Sequence, residues 1–299
     1  MAKILDGRVV RNIIAADLTK KIKKIKTKPK LVIIQVGDLA QSNSYIKQKI
    51  LFGEKIGAIV ELKKLKEDFS QLDLEVMISN FNSDDSIHGI IVQMPIPKDL
   101  DKDTIINKIA PEKDVDGLTA TNLKLLLENK KGGYTPATTK GILTLLYHYQ
   151  IPIHGRNITV VGRSSLVGKP TAMALMNLDA TVTVCHSKTK KLPHITKNAD
   201  ILIVATGKAK LIKDFHVNKD QVVIDVGINT TTQNKVRPSS GLLEKPESEL
   251  PKIKLTGDVD FKEVSKIVSA ISPVPGGIGP MTVASLFQNL LEAYKQQSK

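Results

Sequence analysis

With 299 residues the chain is long enough for two hydrophobic cores, and a hydrophobic content of 41% is sufficient to fill them. No apolar run approaches the roughly 18 residues of a membrane span, and charged residues interrupt the N-terminal segment where a signal peptide needs an apolar stretch. The single cysteine, Cys185, excludes an internal disulfide, so we expect a cytoplasmic protein without a membrane partner. Only five of the 44 basic residues are Arg and aromatic residues make up 4%, so the net charge of +14 favours small anionic ligands over a nucleic-acid partner.

The first half of the chain alternates apolar, β-branched runs with segments of helical periodicity. Strands are predicted over 31–38, 58–65 and 89–97, and helices over 42–57 and 69–82. This β-α-β-α-β order predicts a parallel, doubly wound layer.

The second half repeats this pattern after a boundary near 134–136. The predicted helices lie at 137–150, 169–178 and 281–295, and the predicted strands at 157–162, 181–185, 201–207, 222–229 and 254–260. We therefore predict an α/β protein with two doubly wound domains, the second of the Rossmann type, and a substrate cleft between them.

The segment VVGRSSLVGKP at 160–170 resembles a phosphate-binding loop. It is not a Walker A motif, because five residues separate Gly162 from Gly168 and Pro170 stands where Ser or Thr must hold magnesium. A Rossmann loop fits better, since the segment leaves a predicted strand and enters a predicted helix. The spacing is unusual, with Ser164 at the position of the middle glycine, and an ordinary βα turn remains the alternative.

The end of the next strand, at 181–185, distinguishes between the two nicotinamide cofactors. NAD-binding folds usually place an acid there to hold the ribose hydroxyls, whereas this chain has Ser187 and Lys188. Arg163 adds a positive charge after the first glycine. This pattern suits a 2′-phosphate and predicts NADP, with a solvated loop as the alternative.

Lys49 lies on the apolar face of the helix predicted over 42–57. Tyr45, Lys49, Phe52 and Ile56 follow the spacing i, i+4, i+7, i+11 and form one stripe. Burial lowers the pKa of a lysine, and such lysines are often catalytic. A Lys whose amine reaches solvent at a domain edge is the alternative.

Three further segments carry polar residues or glycines where a doubly wound sheet binds its ligands. Gln93 stands near the end of the strand predicted over 89–97, Asp114 and Asp116 lie beside a flexible glycine in KDVDG, and PVPGGIGPMT at 273–282 precedes the last helix. We expect these segments to converge on Lys49 in a cleft. The acids show no metal-ligand spacing, so no metal site is predicted.

These motifs occur together in one known family. The segments YIKQK, VQMPIP, PEKDVDG, VVGRSSLVGKP, CHSKT, VIDVGIN and PVPGGIGPMT cover almost the whole chain. In this set and order the sequence resembles bifunctional methylenetetrahydrofolate dehydrogenase/methenyltetrahydrofolate cyclohydrolase of the bacterial FolD type.

The resemblance implies NADP-dependent oxidation of 5,10-methylenetetrahydrofolate to the 5,10-methenyl cation, followed by hydrolysis to 10-formyltetrahydrofolate. It implies a folate-binding catalytic domain over 1–136, completed by the C-terminal helix 275–299, and an NADP-binding domain over 137–274. It also implies a homodimer that binds tetrahydrofolate derivatives.

The resemblance also implies the residues of the site. The implied catalytic residues, which also bind the substrate, are Lys49, Tyr45, Gln93 and Asp116. The implied cofactor contacts are Gly162, Arg163, Ser164, Ser187 and Ile228, and further substrate contacts fall on Pro275, Gly276 and Gly277.

Two other functions are weighed against this one. A monofunctional NADP-dependent dehydrogenase of another small substrate would keep the Gly162 loop but would have no use for Lys49. A basic nucleotide- or nucleic-acid-binding module would leave KDVDG and PVPGG unexplained.

Overall fold

The computed structural model describes residues 2–232 and 253–298. Residues 1, 233–252 and 299 lie outside the described residues. They belong to the predicted folate-binding domain, the predicted NADP-binding domain and the predicted C-terminal helix, respectively. Within the described part, no helix combines the length and the apolar character needed to cross a membrane.

The first part of the chain forms four strands and five helices. In chain order they are β1 (Lys3–Ile4), α1 (Gly7–Ile22), β2 (Lys30–Val36), α2 (Ala40–Ile56), β3 (Ile59–Leu65), α3 (Gln71–Ser83), β4 (Gly89–Val92), α4 (Lys102–Lys108) and α5 (Ala120–Leu127).

The second part continues the alternation of helices and strands. Its elements are α6 (Ala137–His148), β5 (Asn157–Val161), α7 (Gly168–Met176), β6 (Thr181–Cys185), α8 (Leu192–Lys197), β7 (Ile201–Val204), β8 (Val222–Asp225), β9 (Asn229–Thr232), β10 (Ile253–Thr256), α9 (Phe261–Val264), β11 (Ala270–Ile271) and α10 (Ile278–Gln297).

The smaller sheet has the order β3-β2-β4, and both of its strand pairs are parallel. β2 lies in the centre because its run of Leu, Val and Ile is buried on both faces. α2 begins after β2 and ends at Ile56, where it is capped by Gly57 in the left-handed conformation with φ +85°. The start of α2 and the residue after β4 therefore lie at the same, carboxyl edge of this sheet.

The larger sheet has the order β1-β11-β8-β7-β5-β6 and is also parallel. The α/β class with two parallel, doubly wound layers is thus confirmed. The N-terminal strand β1 pairs with β11, Lys3 opposite Ala270, so the first residues of the predicted 1–136 domain join the sheet of the predicted second domain. α10 packs against α1, α2 and α6.

Several predicted strands run past the ends of those observed, and two of the differences have a clear physical reason. The strand predicted over 89–97 ends at Val92, because Pro95 and Pro97 have no N–H to extend the ladder. The strand predicted over 222–229 is divided into β8 and β9, and β9 turns away to pair antiparallel with β10. Asp225, the last residue of β8, holds the intervening bend by accepting the N–H of Gly227 at 3.1 Å.

Candidate active site

Lys49 on α2 meets Gln93 at the carboxyl edge of the smaller sheet. The Lys49 Nζ atom donates a 2.8 Å hydrogen bond to Gln93 Oε1, and Gln93 Nε2 donates to the carbonyl oxygen of Met94 at 2.7 Å. Gln93 is the first residue after β4, and its own N–H bonds to the carbonyl of Ile34 in β2. The amide is therefore fixed on both sides, and it holds the half-buried lysine in one orientation.

Lys49 and Asp116 influence each other's protonation. Burial lowers the pKa of Lys49, and the charge of Asp116 partly opposes that shift. Burial raises the pKa of Asp116, which Lys49 lowers and Asp114 raises further. Both charged forms are thus disfavoured by the same water-poor surroundings, so each group can exchange a proton closer to neutral pH than it would in water.

The two aspartates of KDVDG have different surroundings. The Asp114 carboxylate accepts the N–H of Gly117 at 2.9 Å, the N–H of Thr119 at 2.7 Å and Asn122 Nδ2 at 2.8 Å. It is 1% exposed, and its acceptor capacity serves the loop itself. Asp116, two residues on, is left half-buried beside Lys49.

A cavity of about 680 Å³ lies beside α2. It lies between the outer face of α2, the loop before α10 and the segment after β8, and its lining includes Tyr45, Ile228, Pro275, Gly276 and Gly277. Lys49, Gln93 and Asp116, all among the described residues, do not line it. Tyr45 lies one turn before Lys49 on α2, so the cavity and the Lys49 cluster both border this helix.

The glycine loop after β5 leaves no room for side chains at its two glycines. Gly162 has φ +128°, and a Cβ there would collide with the carbonyl group of Ala205 in the loop after β7. A Cβ on Gly168, the first residue of α7, would collide with the carbonyl group of Gly162. Ser164 stabilises the loop, because its Oγ accepts the N–H groups of Val167 at 3.2 Å and Gly168 at 3.3 Å. The backbone thus forms a cradle at the N-terminus of α7, where helix geometry favours anions.

Arg163 and Ser187 follow two neighbouring strands at the same edge of the larger sheet. The last residues of β5 and β6, Val161 and Cys185, stand opposite each other in the register. Arg163 and Ser187 are both exposed. A cation and a hydroxyl therefore lie at this edge of the sheet, and the loop after β6 contains no acid over 186–191.

Two family descriptions match this chain. The catalytic domain of tetrahydrofolate dehydrogenase/cyclohydrolase matches residues 5–116, and the NAD(P)-binding domain of the same enzymes matches residues 136–298. The chain belongs to the tetrahydrofolate dehydrogenase/cyclohydrolase family.

Relatives within this family resemble the chain over its full length. A bifunctional protein FolD from Acholeplasma laidlawii is 43% identical over 296 residues, which are 99% of each sequence. The solved structure of the bifunctional enzyme FolD from Campylobacter jejuni is 38% identical and superposes with a TM-score of 0.89 over 99% of both chains. That of the Trypanosoma brucei dehydrogenase-cyclohydrolase, complexed with NADP cofactor and inhibitor, is 31% identical with a TM-score of 0.91, over 100% of this chain and 99% of the other.

The structure shows three buried polar residues near the proposed sites that the sequence analysis did not name: Ser42, Asp225 and Asp258. Ser42 is 3% exposed, and its Oγ has no hydrogen-bond partner among the described residues. Ser42, Tyr45 and Lys49 follow the spacing i, i+3, i+7, so helical periodicity gave a usable signal for Ser42. Asp225 and Asp258, both buried, gave none, because their partners are distant in sequence.

Proposed function

We propose that this chain oxidises 5,10-methylenetetrahydrofolate with NADP and then hydrolyses the resulting 5,10-methenyl cation to 10-formyltetrahydrofolate. The observation that carries the proposal is the 2.8 Å hydrogen bond between Lys49 and Gln93, next to Asp116, in a chain of this family. A dehydrogenase without the second activity would not need a half-buried lysine at this place.

Lys49 is the proposed catalytic group of the hydrolysis. A lysine in its neutral form can accept a proton from the water that attacks the methenyl carbon, and it does not repel the cation. Burial lowers the pKa of Lys49 and enlarges this neutral fraction. Gln93 orients the amine. When the carbon–nitrogen bond breaks, the proton passes from Lys49 to the ring nitrogen, and the hydroxyl group of the adduct releases its own proton to solvent as it becomes the formyl C=O.

Asp116 and Tyr45 are the proposed positioning groups for the folate ring. Because burial raises the pKa of Asp116, its carboxyl group can share a proton with the polar edge of a pterin. Tyr45 offers a flat ring on α2, where it lines the cavity. Pro275, Gly276 and Gly277 line the opposite side of this cavity.

Gly162, Arg163, Ser164, Ser187 and Ile228 are the proposed cofactor residues. The closely packed backbone at Gly162 suits a pyrophosphate, and the cation of Arg163 with the hydroxyl of Ser187 suits a 2′-phosphate. Bound NADP would accept a hydride from the bridging methylene of the folate. The residues of this chain contribute by orienting the two molecules and excluding water.

A homodimer and a cytoplasmic location complete the proposal. The resemblance implies the dimer, and β6 supports it as the outermost strand of the larger sheet among the described residues, with Val184 39% exposed. Light scattering on the purified protein should give twice the chain mass of 32.7 kDa. The location follows from the single cysteine and stays a prediction.

The activity is tested with purified protein, methylenetetrahydrofolate, and either NADP or NAD. The methenyl species and the reduced cofactor are followed optically in one cuvette. We expect reduced cofactor with NADP, a lower rate with NAD, and enzyme-dependent formation of 10-formyl product. Reduced cofactor without enzyme-dependent hydrolysis would remove the role of Lys49, and no reaction with either cofactor would contradict the proposal as a whole.

A further inference from the structure

Two buried carboxylates lie beneath the proposed cofactor site without belonging to the proposed catalytic set. Asp225, the last residue of β8, is 3% exposed, and Asp258, two residues after β10, is 0% exposed. Buried carboxylates are costly unless hydrogen-bond donors surround them. Their partners therefore indicate why the fold contains them.

Asp258 holds the loop that follows β7. Its Oδ2 atom accepts the N–H of Thr206 at 2.6 Å, the hydroxyl of Thr206 at 2.9 Å and the N–H of Gly207 at 2.9 Å. Its Oδ1 atom accepts Asn229 Nδ2 at 2.9 Å, at the start of β9. One side chain thus joins two loops that are more than 20 residues apart in the sequence.

The loop held by Asp258 forms one wall of the dinucleotide crevice. β5 pairs with β6 along one of its edges and with β7, the strand after β6 in the chain, along the other. The strand order therefore reverses between β5 and β7. Open α/β sheets bind dinucleotides at this reversal. Gly162 packs directly against the backbone of Ala205, so the glycine loop rests on the segment that Asp258 fixes.

Asp225 connects this wall to the substrate side. Its Oδ1 atom accepts the N–H groups of Gly227 at 3.1 Å and Asp258 at 3.0 Å, and its Oδ2 atom accepts the N–H of Val259 at 2.9 Å. The N–H of Asp225 donates to Ser272 Oγ at 2.8 Å, just before the loop that contains Pro275. The two carboxylates thus join the loops after β7, β8 and β11 in one hydrogen-bonded network. Asp225 also lines the cavity.

We propose that Asp258, itself held by Asp225, is a positioning residue for the dinucleotide: it fixes the Thr206–Gly207 wall against which the glycine loop packs, without touching the reacting atoms. This inference rests on the proposed function. It implies that loss of the Asp258 carboxylate weakens cofactor binding and leaves the chemistry at Lys49 intact, because Lys49 and Gln93 are held by α2 and the smaller sheet.

The test compares Asp258→Ala with Asp260→Ala. Asp260 lies two residues further on. Its carboxylate makes no capping bond to the helix it precedes and pairs with the exposed Lys210 at 3.5 Å, so it controls for the loss of a carboxylate near the same loop that does not bind Thr206 or Gly207. We expect Asp258→Ala to raise the KM for NADP by about tenfold or more, because four donors lose their acceptor, three of them in the Thr206–Gly207 wall. Hydrolysis of added methenyltetrahydrofolate, which needs no cofactor, should stay within about twofold of wild type. Asp260→Ala should change neither activity.

Asp258→Asn provides a second, conservative variant. Its amide oxygen can still accept from Thr206 and Gly207 if Asn229 turns its own amide, so we expect most of the NADP affinity to return. Should Asp258→Ala fail to fold, Thr206→Val removes a single donor to Asp258 and should raise the KM for NADP without affecting hydrolysis.

The outcomes separate this inference from the proposed function. Wild-type KM for NADP in Asp258→Ala, or an equal loss of both activities in a folded Thr206→Val, would overturn the positioning role. A wild-type protein without dehydrogenase activity would instead contradict the proposed function itself.

Discussion

Among the described residues, Lys49 has a polar partner but no full counter-charge within hydrogen-bond distance. A neutral amide oxygen accepts its hydrogen bond at 2.8 Å, and Asp116 acts on it through space. An amide orients a lysine without stabilising its charge as strongly as a carboxylate would. Burial therefore dominates and lowers the pKa, which is what a lysine needs to accept a proton near neutral pH.

Replacement of Lys49 by Met should separate the two activities. Lys49→Met keeps the length of the side chain and removes the amine, so we expect hydrolysis of methenyltetrahydrofolate to fall by roughly 100-fold or more. NADP affinity, measured by fluorescence titration, should not change. Lys47→Met, an exposed lysine on the same helix, is the matched control and should behave as wild type. Hydrolysis at the wild-type rate in Lys49→Met would refute the assigned role.

Asp225 makes folding stability depend on pH. Burial raises its pKa to about 7, against the lowering effect of the N–H groups of Val259 and Asp258. A carboxyl group with a raised folded-state pKa contributes stability that is fully present below its unfolded pKa and is lost as the pH rises through the folded pKa. The window therefore runs from the ordinary Asp value of 3.8 to about 7.

This window is tested with Asp225→Asn and urea unfolding at pH 5 and pH 8. In the wild type, Asp225 should lower the free energy of unfolding by roughly 3 kcal/mol between these pH values. Asp225→Asn should lack this contribution, so its difference between the two pH values should be smaller by that amount. Equal differences in the two proteins would show that Asp225 does not titrate in this range.

At the scale of elements, the Gly162 loop depends on contact between two strand-end loops. Gly162 combines φ +128° with direct packing on Ala205, so both its backbone conformation and its lack of a side chain are required. Gly155, before β5, also has a positive φ of +71°, but a Cβ there would meet no atom within 4 Å.

Alanine variants of these two glycines separate the effect of backbone strain, present at both positions, from the effect of a steric collision, present only at Gly162. Gly155→Ala should cost about 1 kcal/mol of stability and leave NADP binding unchanged. Gly162→Ala should weaken NADP binding roughly ten- to hundredfold, because the loop must move away from Ala205. Isothermal titration with NADP checks both variants. Equal affinities would show that the loop tolerates this displacement.

At the scale of the whole molecule, α10 joins the two parts of the chain. Asn289, 0% exposed, donates from Nδ2 to the carbonyls of Val115 at 2.9 Å and Thr135 at 3.0 Å, and its Oδ1 accepts Lys140 Nζ at 2.7 Å. Val115 directly precedes Asp116. The last helix therefore supports the loop that contains a proposed site residue.

Asn289→Leu should reduce both stability and activity. It leaves two carbonyls without their donor and Lys140 with only the Glu292 carboxylate at 3.7 Å, and we expect a loss of about 3 kcal/mol in the free energy of unfolding. Methenyl hydrolysis should also fall, because Asp116 loses its support. Lys295→Leu, an exposed change on the same helix, is the control. A loss below about 1 kcal/mol would mean that water replaces these hydrogen bonds.

Local periodicity was sufficient to predict most of the secondary structure. The alternation of strands and helices, the face of α2 that contains Lys49 and the βα context of the Gly162 loop all depend on residues a few positions apart. The family resemblance supplied the proposed partners of Lys49, although Gln93 is 44 residues away. Contacts at such separations leave no periodic signal.

The sequence by itself determined the α/β class, the two parallel layers and the family. The family resemblance pointed to Asp116, whereas only the tertiary structure showed that Asp114 serves the loop, because the two aspartates have similar neighbours in sequence and differ in what packs on them. The tertiary structure also decided that β1 joins the larger sheet and that Asp225 and Asp258 form one network across 33 residues. The physical reason is the same in each case: a buried polar group is defined by the donors that surround it, and the fold brings those donors from distant segments.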